Sequence, residues 1–146
     1  EARRAHRLGE RLAQRLLDAA AASLRDAALL VTDRSAKSVL LDRAGELFAH
    51  QDLLAEVLAL DCDIHDDPEV RNRARVRRAQ ALSRLGRGEE ALAEAEAVLQ
   101  APAGDSASKG VASEIAREQR ALLEPGAQID VRFDAPLARE WQIHTP

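Results

Sequence analysis

From Arg3 to Leu123 the apolar residues return every three or four positions, and nearly all are alanine or leucine. Period 3.6 marks one face of a helix. Aromatics make up only 2% of the chain: Phe48, Phe133 and Trp141. A core without bulky rings suits helices that approach closely, and Ala, Leu, Arg and Glu all favour helix. The expected fold class is therefore all-α, built from antiparallel helical hairpins. At 146 residues the chain is long enough for one domain with a real core.

Leu8, Leu12, Leu16, Ala20, Leu24, Ala28 and Val31 predict a first helix over Arg3–Leu30, with a break near Ser23 and these residues on one side. Thr32 or Asp33 can cap the next helix, which carries Val39, Leu40, Ala44, Leu47 and Phe48. After the turn "AHQD", a brief helix "LLAEVLAL" turns Leu54, Val57 and Leu58 inward. A helix over Pro68–Leu85, the turn "GRG" and the helix "EEALAEAEAVLQ" follow. "APAG" stops that helix, and Asp105 or Ser106 starts a last one with Val111, Ile115 and Leu122 inward. The connections between Thr32 and Gly104 are short, as in packed hairpins.

"DCDIHDDPEV", Asp61 to Val70, gathers aspartates, His65 and Cys62. Its spacing fits neither the calcium loop D-x-D-x-D-G nor a zinc pattern. "DDPEV" is a helix start: proline at the first helical position loses no hydrogen bond, Asp67 can accept from free N–H groups, and Glu69 favours the positive helix end. Asp61, Asp63 and Asp66 then read as exposed loop residues, with no metal and no cofactor expected.

"RNRARVRR", Arg71 to Arg78, concentrates positive charge. At 100° per residue Arg71, Arg75 and Arg78 share one stripe, and Arg73 and Arg77 lie nearly opposite. A split cluster makes a poor phosphate track, and no aromatic is interleaved for base stacking. Pairing with "EEALAEAE" and flanking aspartates is the simpler reading. The net charge of −4 gives no global pull toward nucleic acid or an anionic membrane, and neither partner is expected. No apolar run reaches the roughly 18 residues of a membrane span. The histidines are scattered, and neither G-x-S-x-G nor a phosphate-binding glycine motif occurs. One cysteine allows no internal disulfide.

After Gly126 the period changes to two. "QIDVRFD" puts Ile129, Val131 and Phe133 on one face of an expected strand over 128–134. A lone strand cannot satisfy its backbone, so it should pair with a second copy or a partner chain; a local hairpin with Glu140–His144 is the rival. This divides the chain into a helical domain, 1–124, and an extension, 125–146. The chain starts at Glu1, contains no Met and stops at "WQIHTP", which reads as a piece of a longer protein.

"RVRRAQALSRLGRGEEALAEAEAVLQAP", Arg75 to Pro102, resembles a tetratricopeptide repeat. Ala79 and Ala91 stand at its small positions, Leu82 at a large one, Gly86 in the turn and Val98 at a late packing position. Arg75 replaces the usual tryptophan, Ala95 the usual aromatic, and Pro102 comes one residue early. A weaker copy, Arg43 to Asp61, aligns Leu47 with Leu82 and Glu56 with Glu94. The resemblance implies a solenoid capped by the last helix, and a non-enzymatic protein-interaction module of the cytoplasm within a larger protein or complex. It also implies a groove lined by Arg73, Val76, Gln80, Ser83 and Arg84, with Arg77 at its edge. Arginine binds carboxylates in bidentate fashion, so the expected guest is a protein or peptide with acidic character. "IDVRFDAPLAREWQI" looks like the lead-in strands of some thioredoxin-like domains but carries no C-x-x-C. That gives the alternative: an accessory helical region of a larger enzyme.

Overall fold

The structure is a computed structural model, and it describes residues 1–102 and 104–124. The regular elements among them are all helical: α1 (Ala2–Leu30), α2 (Arg34–His50), α3 (Leu54–Ala59), α4 (Pro68–Arg84), α5 (Gly88–Gln100) and α6 (Ser106–Leu123), with a single 3₁₀ turn at Cys62–Ile64. The expected strand with Ile129, Val131 and Phe133, and the whole 125–146 extension, lie outside the described residues.

Aspartates cap the starts of α2, α4 and α6. Asp33 accepts from Ala36 N–H at 3.0 Å, Asp67 from Glu69 N–H at 3.0 Å, and Asp105 from Ser108 N–H at 2.6 Å. The ends of α2 and α4 share one geometry. Gly86 takes φ +78°, Arg87 N–H donates to Leu82 O at 2.9 Å, and Gly86 N–H donates to Ser83 O at 3.1 Å. Asp52 takes φ 57°, Leu53 N–H donates to Phe48 O at 2.9 Å, and Asp52 N–H donates to Ala49 O at 3.1 Å. Both are Schellman motifs. They set the register between the two hairpins: Gly45 with Ala79, Phe48 with Leu82, Asp52 with Gly86, and Val57 with Ala91, each pair 34 residues apart. Phe48, and not Leu47, is thus the counterpart of Leu82. Both are almost wholly buried, whereas Leu47 only packs at the margin.

The helices lie in two layers. In one, α2 packs on α4 and α4 on α6; in the other, α3 packs on α2 and α4, and α5 on α4 and α6. The short α3 and α5 do not touch each other, and α1 packs on α2 alone. Two apolar clusters follow. Val76, Ala79, Leu82, Ala91, Ala95, Val98, Ala112, Ile115 and Ala116 join α4, α5 and α6. Ala21, Ala44, Phe48, Val57 and Ala81 join α1 to α4. Alanine at Ala79, Ala91, Ala95 and Ala112, all at 0% exposure, lets these backbones approach closely. The Arg25 guanidinium lies 5.6 Å from the Phe48 ring centroid, a cation–π contact between α1 and α2.

Three expectations fail here. Helix α1 is continuous through Ser23. The seven residues from Leu8 to Val31 do not share one face: Ala28 is buried, but Leu8, Leu12 and Leu16 are 53%, 53% and 71% exposed. A four-residue step gains about 40° per return, so Leu8 and Ala28 end on opposite sides of the helix. Leu122 is exposed because the outer side of α6 has no neighbour among the described residues, while Ile115 is buried and Val111 packs at the core margin.

Candidate functional site

Helix α4 touches α2, α3, α5 and α6, so different sides of it meet different neighbours. Toward α2, Arg77 donates to Asp42 Oδ1 at 2.5 Å, and both side chains are mostly buried. Gly45 makes room for this arginine: a Cβ there would stand 3.2 Å from Arg77 Nε. Toward α6, Ser83 Oγ accepts from Gln119 Nε2 at 2.8 Å. Val76, expected in the groove, is instead buried in the α4–α5–α6 cluster, because α6 covers that side of α4.

Between these two contacts a strip of α4 stays open. It carries Arg73, Gln80 and Arg84, which project within about 40° of one another. The Arg73 side chain is 41% exposed and its outer nitrogen stands 3.9 Å from Asp42 Oδ2, while its Nε is buried and has no hydrogen-bond partner among the described residues. Arg84 pairs with Asp52 across the α2–α3 turn, both well exposed. Asp42 therefore serves two arginines, Arg77 closely and Arg73 at longer range. The strip offers the guanidinium groups of Arg73 and Arg84 beside the amide of Gln80. Of the six residues expected in the groove, Arg73, Gln80 and Arg84 share an open surface, Arg77 and Ser83 border it, and Val76 does not contribute.

The opposite arginine stripe meets different partners. Arg75 stands 3.6 Å from Asp63, and Arg78 stands 3.3 Å from Glu94 while donating to Leu58 O at 3.1 Å. Arg71 donates to His65 O at 3.4 Å. The split of the basic cluster is therefore real, with acids on both sides. Because α3 and α5 do not touch, an open cavity of about 520 Å³ lies between the 3₁₀ turn and α5, lined by Cys62, Asp63, Arg75, Arg78, Glu90 and Glu94. Burial, then Glu94, pushes the Cys62 thiol above its ordinary value, against the pull of nearby arginines. A thiol held protonated is a weak nucleophile.

The aspartate-rich stretch works as a helix junction. Asp61 accepts from Asp63 N–H at 2.9 Å, Asp66 pairs with Arg34 at 3.0 Å, and Asp67 caps α4 behind Pro68. Asp61, Asp63, Asp66 and Asp67 are all exposed. Among the described residues no three His, Cys, Asp or Glu side chains converge as a metal ion requires. His65 is different: it is buried at 2% exposure, with Nδ1 2.7 Å from Ser38 Oγ. Burial holds the imidazole below its ordinary value of 6.5, with Asp42 opposing and Arg77 adding to the shift.

Sequence reasoning missed Asp42 and Asp52. Each belongs to the preceding hairpin, 35 and 32 residues before its arginine. The available signal was that separation, close to the 34-residue recurrence of the turns. Comparison with protein-family models, with curated proteins and with solved structures finds no match.

Proposed function

We propose that this chain is a non-enzymatic protein-interaction scaffold of the cytoplasm, a tetratricopeptide-like stack of helical hairpins that holds an acidic peptide along α4. The observation that carries the proposal is the open strip Arg73–Gln80–Arg84, where the outer nitrogen of Arg73 is only loosely paired, 3.9 Å from Asp42. The 34-residue recurrence of turn, small residue and large residue supports the repeat reading. The serial packing of α2, α4 and α6 supports it too. Among the described residues no helix is long and apolar enough to cross a membrane.

The physical logic is exchange of carboxylates. Asp42 and Asp52 hold Arg73 and Arg84 roughly in place, which reduces the entropy lost when a guest binds. Arg84 and Asp52 are exposed, so breaking their pair costs little in water. A guest carboxylate that bonds Arg84 in bidentate fashion, with a second one at Arg73, replaces weak internal pairing with aligned charge-assisted bonds. Fluorescence anisotropy with a labelled Asp/Glu-rich hexapeptide tests this. Arg73→Ala and Arg84→Ala should each weaken binding by about tenfold, the loss of one hydrogen-bonded charge. Equal affinity in the wild type and both variants removes the strip as the site.

A further inference from the structure

We infer that the amino-terminal half of α1 is a docking helix for the surface of an anionic lipid bilayer. Helix α1 runs for 29 residues, yet its buried residues, Ala21 and Ala28, both lie in its second half. Residues 2–17 are all exposed, and α1 packs on no helix but α2. This half is nevertheless strongly patterned. Projected at 100° per residue, Leu8, Leu12, Leu16 and Leu17 share a half-circle with the alanines between them, broken only by His6. Arg3, Arg4, Arg7, Arg11 and Arg15 fall in the other half. The apolar sector spans about 180°, wider than the seam a single partner helix covers. From Ala2 to Ala20 it extends for about 28 Å.

Charge selects the partner. Residues 1–18 hold five arginines against Glu1, Glu10 and Asp18, a net +2; the chain's total of −4 leaves −6 for the remainder. The whole-chain average conceals this segment. Two of its acids are also engaged within the helix: His6 stands 3.0 Å from Glu10, and Gln14 donates to Asp18 at 3.2 Å. Arg4, Arg11 and Arg15 have no ion-pair partner among the described residues. A second copy is a poor occupant. In an antiparallel pair the Arg4–Arg11–Arg15 flank would face its own image, and like charges repel. A helix with one apolar half and one arginine-rich half matches a flat boundary between acyl chains and anionic headgroups, where the long arginine stems reach outward to phosphate. The face of α1 that meets α2 lies about 120° from the centre of the apolar sector, so the helical body stands clear of that boundary.

The test is co-sedimentation of the full 146-residue chain with phosphatidylglycerol–phosphatidylcholine vesicles and with phosphatidylcholine vesicles alone. Binding to the anionic vesicles should be at least about tenfold stronger, and it should fall as salt is raised. Leu12→Glu with Leu16→Glu, and separately Arg7→Glu with Arg11→Glu, should each weaken it by at least about tenfold. Neither pair touches the helical core, so urea midpoints should match the wild type and exclude misfolding as the cause. No vesicle binding, equal binding to both vesicle types, or binding indifferent to the leucine pair overturns the inference. A dimer seen by sedimentation velocity without lipid, dissolved by the leucine pair, assigns the face to a second copy and overturns it too.

Discussion

His65 carries the clearest pH signature among the single residues. Its imidazole is buried against Ser38 and held below its ordinary value of 6.5. Above about pH 6.5 the folded and unfolded chains both hold it neutral, and its contribution to stability is complete. Below that, the unfolded chain takes up the proton first, so stability falls as pH drops toward the lower folded value. The urea midpoint should therefore decline from about pH 7 to about pH 5.5, before most carboxylates titrate. His65→Gln should start from a lower midpoint and lose this slope. An equal slope in both proteins would place the proton uptake elsewhere. The residue stood in plain view in "DCDIHDDPEV", but its burial did not. It depends on Ser38, a helix and a turn away in sequence.

At the scale of elements, the end signals were legible because they are local. Asp33, Asp67 and Asp105 cap, Pro68 begins α4, and Gly86 ends it with a positive φ, all decided within a few residues. Asp52 does for α2 what Gly86 does for α4, and a non-glycine residue at positive φ is harder to foresee. Inward faces were legible only where both neighbours are present. Leu82 and Ile115 are buried as expected; Leu8, Leu12, Leu16 and Leu122 are not. Periodicity states that a helix has an apolar face, and only tertiary packing states what covers it. Close approach of α4 and α5 also depends on side-chain size. Ala91 has 0% exposure within the cluster that joins α4, α5 and α6. Ala91→Leu should destabilise by roughly 1–3 kcal/mol through overpacking, read as a lower urea midpoint with unchanged slope. A midpoint equal to wild type would show that the two helices do not meet there.

For the whole molecule, the layering converts a charge pattern into a candidate site. Projection alone separates Arg73 and Arg77 from Arg71, Arg75 and Arg78, and the structure gives each group its own acids. Which acid Arg73 and Arg77 meet could not be read from the chain, because Asp42 comes from another hairpin. The loss of Val76 from the groove has the same origin: α6 packs over it. The open strip on α4 and the cavity beside Cys62 lie on different sides of that helix, so a bound peptide can report which one it uses. The most direct measurement is an amide ¹H–¹⁵N correlation titration of the chain with an Asp/Glu-rich peptide. The account predicts saturable shifts grouped at Arg73, Gln80 and Arg84, together with the Asp42 and Asp52 amides as their arginines change partners. Shifts grouped instead at Cys62, Arg75 and Glu94, or none at saturating peptide, would contradict it.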